Sequence, residues 1–579
     1  MSDTADLVIR NGMVVDGFGT EPYKADVAIK GGVITAVGDE AIAGVEEIDA
    51  AGHFVTPGFV DIHTHYDGQA IWEETLSPSS NHGVTTVVIG NCGVGFAPCR
   101  SEDRENLIRL MEGVEDIPGV VMTEGLTWEW ETFPEYLAAL GRRRHDVNIA
   151  FYLPHSPLRV YAMGERAAAG QAATDADLEI MSDIVEEAMR EGALGVASSR
   201  TIFHRSSSGD LIPTFDAEMA ELDTIASAIA RAGGGVLQVA SDFKEFSDVK
   251  REFELLKEVA RKYDLTLTIP VAENHALPDV HREIIRHINE ANDEGVHVKA
   301  QVMPRGVGLL FGLELSAHPF ALSPSYIAIE HLPIGERVEV MKDPEFKKKL
   351  LEEPVPETKT ALHRFIRGFG GMFEISDGFN YEPDFSESIQ TRAEALGVSP
   401  LALAYDILVD KKSSAALYMP FANYAHGNLD TVGELIGNPD VVMGLGDGGA
   451  HYGIICDASY STFLLSYWSR DRARGKKIPV AKAVSMLSRE TAEMVGLEDR
   501  GIIAPGYRAD INIIDFDNLR MRNPQIVFDL PSGGRRLIQA SEGYKATIVN
   551  GSVIYRDGAG TGARTGELVR GRRGRPALG

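Results

Sequence analysis

The sequence predicts an α/β protein, a (β/α)8 TIM-type barrel with insertions plus a small β-sandwich domain built from both termini. In the middle of the chain, β-rich runs alternate with amphipathic stretches of helical period, a pattern typical of parallel sheets. Both ends instead carry short β-rich runs joined by Asn-Gly or Gly-Gly, which favour tight hairpins. A doubly wound open sheet is the alternative for the central part.

The terminal runs define the expected domain boundaries. The N-terminal hairpin signals lie within residues 1–58, and the C-terminal ones include the runs 509–515 and 546–555. We therefore expect residues 1–58 and 500–579 to form the small β domain. Residues 59–499 would form the barrel.

The central strands and helices follow from periodicity. Predicted strands are 85–90, 147–152, 236–239, 265–269, 296–301 and 441–446. Predicted helices between them include 177–190, 216–231 and 279–292. About eight such units over roughly 440 residues fit a barrel with insertions.

Composition and charge exclude several classes of function. The chain has 56 Lys+Arg against 85 Asp+Glu, a formal charge of −29, which disfavours binding to nucleic acid. Only 3 cysteines are present, too few for a disulfide framework, as expected in a reducing cytosol. The sequence shows neither a signal peptide nor a long apolar run. We expect a cytoplasmic protein without a membrane partner.

The strongest local motif is a His-x-His at the end of an apolar run. His63 and His65 are two residues apart, so on a strand their side chains point to the same side. Barrel active sites lie at the carboxyl ends of the strands, and paired imidazoles suit Zn²⁺. Metal binding is the preferred interpretation. Two structural, hydrogen-bonded histidines are the alternative.

Several ordered motifs resemble a known family. The His-x-His run, the run 501–511 and the small domain drawn from both termini resemble the amidohydrolase superfamily of metal-dependent (β/α)8 barrels. The run 83–93, Gly-Val-Thr-Thr-Val-Val-Ile-Gly-Asn-Cys-Gly, is similar to the N-acyl-D-amino-acid deacylase (D-aminoacylase) branch. Further similarities are His155-x-x-x-Arg159, Met163-Gly164 and the run 192–195. The resemblance covers essentially the whole chain.

The resemblance assigns roles to two further residues. Cys92 matches a cysteine that ligates metal in the deacylases, whereas a buried structural thiol is the alternative. Asp447, in a glycine-rich turn after an apolar run, resembles the superfamily aspartate that binds metal and transfers protons. A turn-capping aspartate is the other interpretation. His451 could ligate metal, contact substrate or simply pack.

Some positions depart from the family pattern. The fifth-strand run 235–242 contains no histidine, and the sixth offers His275 only beyond its apolar part. The fourth-strand run 195–200 has no lysine that could be carboxylated to bridge two metals. One Zn²⁺ per chain is therefore favoured over two. Its ligands would be His63, His65, Asp447 and Cys92.

Several basic and polar residues are candidate substrate contacts. Arg305 and Arg200 follow predicted strands and could bind a carboxylate bidentately. His155, Gln238 and His451 are further candidate pocket residues. For each of these, an ordinary structural side chain is the alternative.

The sequence thus predicts an enzyme that hydrolyses a carbon–nitrogen bond. The leading hypothesis is cleavage of the N-acyl bond of an N-acyl-D-amino acid, with metal-activated water and Asp447 as general base and acid. The substrate would be a small molecule carrying an amide and a carboxylate. Hydrolysis of a cyclic amide or other C–N bond is the first alternative, and a degenerate, non-catalytic barrel acting as a scaffold is the second. We expect a homo-oligomer with a solvated or subunit-contacting basic tail at 570–576.

Overall fold

The structure is a computed structural model that describes residues 4–39, 42–243, 248–356, 365–376, 378–410 and 416–577. Strands β1–β5 are Ala5–Val14, Tyr23–Lys30, Val33–Gly38, Gly44–Asp49 and Phe54–Pro57. Strands β6–β13 are Phe59–Asp61, Val84–Ile89, Asn148–Phe151, Leu153–Pro154, Gly195–Arg200, Val236–Ser241, Thr266–Pro270 and Val298–Val302. Strands β14–β17 are Val307–Phe311, Phe373–Glu374, Leu417–Ala422 and Val441–Met443. Strands β18–β25 are Ile511–Ile514, Arg520–Met521, Gln525–Leu530, Gly534–Ile538, Ser541–Glu542, Tyr544–Val549, Ser552–Arg556 and Ala559–Gly560.

The longer helices alternate with the central strands. They are Arg104–Glu115, Gly119–Gly125, Phe133–Gly141, His155–Met163, Asp175–Arg190, Met219–Arg231, Val249–Tyr263, Val280–Asp293, Ile334–Met341, Pro344–Glu352, Ile389–Leu396, Pro400–Asp410, Asp430–Ile436, Val480–Leu487 and Arg489–Met494. Shorter helices are Gln69–Trp72, Glu165–Ala168, Pro324–Ile327 and Tyr460–Phe463, and Leu464–Asp471 is a π-helical segment. The three helices predicted from periodicity are present within a few residues of their expected ends.

Local sequence signals explain these elements. In helix Asp175–Arg190, Thr174 and Asp177 form a reciprocal capping box, which satisfies two backbone N–H groups at the helix start. Met181, Val185 and Ala188 recur at helical spacing and are buried, so this face packs into the core.

Both termini contribute to one nine-stranded sheet. Its order is β25-β24-β23-β18-β5-β1-β2-β3, with β4 paired to β1. The C-terminal strand β18 is antiparallel to the N-terminal strand β5, which joins the two ends of the chain. Buried Ile9, Val27, Ile511 and Ile548 lie in one apolar cluster beneath this sheet.

The central strands are parallel. One sheet has the order β6-β7-β8, and the other β9-β10-β11-β12-β13-β17. Only Tyr152 separates β8 from β9, so the chain passes directly from one sheet to the other. A parallel bridge between Thr64 and Gly448 then links the segments that follow β6 and β17, the first and last strands. This order is consistent with the predicted barrel.

A large insertion separates β13 from β17. It contains the antiparallel strands β14, β16 and β15 together with several helices. Phe311, Phe320, Tyr405 and Leu417 belong to its own apolar cluster. The insertion therefore folds around a separate core beside the parallel strands.

The basic C-terminal tail packs on the parallel strands of its own chain. The carbonyl of Glu567 accepts a hydrogen bond from the N–H of Ile149 (2.9 Å), and Val569 donates to the Ile149 carbonyl (2.7 Å). Gly571 donates to the carbonyl of Gly192, also at 2.7 Å. The backbone of this segment is thus held on its own chain from β8 to the segment before β10, while the side chains of Arg570, Arg572, Arg573 and Arg575 remain exposed.

This packing predicts a role of the tail in stability. A chain ending at Thr565 would lose these backbone hydrogen bonds, worth about 1 kcal/mol each and on the order of 3 kcal/mol together. We expect a clearly lower apparent unfolding temperature by calorimetry. Arg575→Ala is the control, because it removes only exposed ion pairs to Glu493 and Glu498. Equal unfolding temperatures for the shortened and full chains would contradict this role.

Among the described residues, the helices are all too short or too polar to cross a membrane.

Candidate metal centre

The two histidines of the His-x-His motif lie directly after β6 and point to the same place. Both side chains are 1% exposed. Nε2 of His63 and Nε2 of His65 each lie 3.6 Å from the same oxygen, Oδ1 of Asp447. Burial lowers the pKa of His63 to about 4, so its imidazole is neutral, the form that binds metals.

Cys92 lies in the turn after β7, between Gly90 and Gly93. Its Sγ is 3.3 Å from Nε2 of His63. Burial raises the pKa of the Cys92 thiol to about 11, although His65 opposes this effect. The thiol is therefore inert unless a cation stabilises the thiolate.

Asp447 and His451 lie in the loop after β17. Oδ2 of Asp447 is 3.8 Å from Nε2 of His451, while Oδ1 faces the other two histidines. Burial opposes ionisation of Asp447, but the hydrogen bond from His65 and the nearby histidine charges hold its pKa below the usual range. The carboxylate is thus charged at neutral pH.

Three of these residues have a strained backbone. Cys92, Asp447 and His451 have φ values of 54°, 45° and 53°, in the left-handed region that non-glycine residues rarely adopt. Such conformations cost on the order of 1–3 kcal/mol each and persist where the surrounding structure enforces them. Their concentration around one cluster supports a functional role for it.

The donor atoms fit a metal ion. One ligand atom each from His63, His65 and Cys92 lies within 4.8 Å of the others, and Asp447 faces both imidazoles. Two imidazoles, a sulfur and a carboxylate are the donor types preferred by Zn²⁺. Burial disfavours a charged His65, yet Glu115 and Asp447 raise its pKa well above the usual value. The carboxylates of Glu115 and Asp447 therefore favour a positive charge beside His65.

Sequence reasoning missed two residues beside the histidines. Gln301 on β13 is fully buried, and its Oε1 is 2.6 Å from Nδ1 of His63. Glu115, at the end of helix Arg104–Glu115, has Oε1 3.4 Å from Nδ1 of His65 and Oε2 3.6 Å from Nε2 of His451. An unexplained glutamine within an apolar strand was a signal for Gln301. The sequence contains no such signal for Glu115, because a glutamate in an amphipathic helix usually lies on its solvated face.

The strands without ligating histidines carry neutral groups instead. Gln238 on β11 is buried, and its Oε1 accepts a hydrogen bond from the N–H of Cys92 at 3.1 Å. Within the described part of the chain, Nε2 of Gln238 and Oγ1 of Thr268 on β12 have no hydrogen-bond partner. His275 lies outside the cluster, since the charged groups that influence its pKa are Glu273 and His426.

Three predicted substrate contacts are engaged elsewhere. Arg305 is 1% exposed and lies over the ring of Tyr381. Its Nη2 donates to Oδ1 of Asp457 (2.6 Å) and to the carbonyl of Cys456 (2.7 Å). These contacts describe a buried ion pair, which argues against the predicted role as a carboxylate clamp.

Arg200 and His155 are likewise paired with carboxylates. Nε of Arg200 donates to Oε1 of Glu252 at 2.8 Å. His155 is fully buried, with Nε2 2.7 Å from Oε1 of Glu221 and Nδ1 2.8 Å from Oγ of Ser198. Both side chains are thus paired within their own protein, His155 through both ring nitrogens, and their role as substrate contacts stays a prediction.

The chain is similar in sequence to known proteins. An uncharacterized protein of Mycobacterium tuberculosis (strain ATCC 25618 / H37Rv) is 27% identical over 612 residues, 98% of this chain and 96% of that protein. A D-aminoacylase of Alcaligenes xylosoxydans xylosoxydans is 35% identical over 198 residues, 34% of this chain and 38% of that protein.

A solved structure shares the fold. It is the N-acyl-D-glutamate deacylase from Bordetella bronchiseptica, complexed with zinc and a phosphonate inhibitor. The TM-score is 0.64 at 22% identity, covering 98% of this chain and 100% of that chain. The profile of the amidohydrolase family matches residues 46–555, most of the sequence. The protein therefore belongs to the amidohydrolase family.

Proposed function

We propose that the protein is a metal-dependent hydrolase that cleaves the N-acyl bond of an N-acyl-D-amino acid. The observation that carries the proposal is the convergence of His63, His65, Cys92 and Asp447 after three parallel strands of an amidohydrolase. The D-aminoacylase and N-acyl-D-glutamate deacylase among its relatives support the substrate class.

The residues that would hold the metal are His63, His65, Cys92 and Asp447, and we propose one Zn²⁺ per chain. The neutral groups of Gln238 and Thr268 on the fifth and sixth parallel strands argue against a second ion, because amides and hydroxyls are poor zinc ligands. When bound, a zinc ion supplies a Lewis acid that polarises a carbonyl and lowers the pKa of water.

Asp447 would move the proton. Its charged carboxylate is 20% exposed, so it is reachable from solvent while its Oδ1 is turned toward the histidines. Oδ2, which faces His451, would accept a proton from the attacking water and deliver it to the departing nitrogen. His451 would orient this oxygen.

We also propose the organisation that surrounds this site. Residues 59–499 would close as a (β/α)8 barrel, and residues 1–58 with 500–579 would form the small β domain as a sandwich. The strand order and the Thr64–Gly448 bridge support closure of the barrel. The protein would work in the cytoplasm as a homo-oligomer.

A substrate panel tests the proposed activity. We expect zinc-loaded protein to release free amino acid from N-acetyl-D-amino acids, with N-acetyl-L-amino acids and hydantoins cleaved much more slowly. D- and L-forms of acidic, neutral and apolar side chains serve as matched pairs. Ring opening of hydantoins without turnover of any N-acyl-D-amino acid would reject the deacylase in favour of a cyclic amidase. Less than about 0.3 zinc per chain after purification with zinc would favour a scaffold.

A further inference from the structure

We propose that Gln301 and Glu115 are positioning residues that hold the two metal-facing histidines by their Nδ1 atoms and so direct both Nε2 atoms to the metal. The inference rests on the proposed metal-dependent function and goes beyond its ligand set. Gln301 contacts Nδ1 of His63, and Glu115 lies beside Nδ1 of His65 with its other oxygen, Oε2, near Nε2 of His451.

The contact of Gln301 determines the tautomer of His63. Because the amide Oε1 can only accept, Nδ1 of His63 must carry the hydrogen in the 2.6 Å contact. The lone pair then lies on Nε2, the atom 3.3 Å from Sγ of Cys92 and 3.6 Å from Oδ1 of Asp447. Gln301 thereby selects the tautomer that can bind a metal.

Glu115 favours the corresponding tautomer of His65, with the hydrogen on Nδ1. Its Oε1 is 3.4 Å from Nδ1 of His65, while Nε2 of that ring is 3.6 Å from Oδ1 of Asp447. Within the described part of the chain, Nδ1 of His65 has no hydrogen-bond partner, so the Glu115 carboxylate is the acceptor available to it. A carboxylate there fixes the ring and also increases the electron density at Nε2.

The fold brings these partners from distant parts of the chain. Glu115 comes from helix Arg104–Glu115, inserted between β7 and β8, whereas Gln301 lies on β13. Both are essentially inaccessible, with Glu115 2% and Gln301 0% exposed. Burying a carboxylate and an amide is costly unless they are well paired, and each faces an imidazole.

Gln301 is neutral and Glu115 is a carboxylate, so substitutions that add or remove charge should change the Kd for Zn²⁺ in opposite directions. Gln301→Met and Glu115→Met keep the side-chain length but remove the acceptor. We expect the Kd for Zn²⁺, measured by competition with a chelator, to weaken about 10–100-fold in each variant. Gln301→Glu retains an acceptor and adds charge, so its Kd should be tighter than that of the wild type. Glu115→Gln retains an acceptor without charge and should lie between wild type and Glu115→Met.

A control and the unfolding temperature of the metal-free protein separate positioning from packing. Gln539 is also buried, but it bonds to Ser459 and Tyr381, so Gln539→Met should leave the Kd unchanged. A purely structural role would lower the unfolding temperature and leave the Kd of folded protein as in the wild type. Wild-type Kd values in folded methionine variants would overturn the proposal.

The isosteric pair keeps the inference testable if the methionine variants do not fold. Identical Kd values for the wild type, Gln301→Glu and Glu115→Gln would then overturn it. A wild-type protein that binds no zinc would defeat the proposed function itself. Zinc binding that these substitutions leave unaffected would defeat only the positioning roles.

Discussion

Asp447→Asn is expected to lower kcat/KM by on the order of 10²–10⁴-fold, the usual contribution of a general acid–base residue. An asparagine keeps the size of the side chain but cannot accept a proton from water. Three of the four proposed zinc ligands, His63, His65 and Cys92, remain in place, so zinc-loaded protein should retain more of its zinc than of its activity. Steady-state kinetics with an N-acetyl-D-amino acid measure kcat/KM, and metal analysis of the same sample measures the zinc content.

A matched control lies at the opposite end of the same strand. Asp440 precedes β17, and its Oδ1 pairs with Lys299 at 2.9 Å, away from the metal-facing side chains. Asp440→Asn should leave turnover per folded molecule unchanged. If the Asp447→Asn protein works at the wild-type rate, Asp447 has no part in proton transfer.

Replacing both His63 and His65 by alanine is expected to abolish metal binding and activity together. The substitutions remove two of the four donors and leave a thiol and a carboxylate. That thiol has its pKa raised to about 11 by burial, so without a cation it stays protonated and binds metal poorly. Zinc content should fall from about one ion per chain to nearly none, as measured by atomic emission.

His275→Ala is the control for this experiment and tests the metal count as well. His275 is the histidine that the sequence offers for the sixth-strand position, but the charges acting on it come from Glu273 and His426. We expect zinc content and turnover to stay at the wild-type level. A loss of about one ion in His275→Ala protein that had contained about two would establish a second site instead.

The clustering of the proposed ligands was predictable because it depends on local sequence. His63 and His65 are two residues apart after an apolar run, and strand geometry alone turns them to the same side. Cys92 and Asp447 also follow apolar runs, and the carboxyl ends of parallel strands meet at one edge. The resemblance to the deacylases added their roles.

The side-chain pairings that the sequence did not indicate depend on distant contacts. Arg305 follows a predicted strand, as a substrate clamp would, but Asp457 lies 152 positions away in sequence and pairs with it. The contact between Gln301 and His63 spans 238 positions. The glutamine within an apolar strand marks Gln301 as unusual, but neither pairing leaves a periodic or local pattern that identifies the partner residue.

The sequence by itself determined the alternation of strands and helices, the β-rich ends and the metal-ligand motif. Each of these follows from short-range geometry, the two-residue repeat of strands and the 3.6-residue repeat of helices. Only the tertiary structure decided that Glu115 and Gln301 lie beside the two histidines and that the segment before the basic tail, Glu567 to Val569, packs on β8. The physical reason is that burial and pairing of polar groups depend on which surfaces meet after folding, and that information is spread over the whole chain.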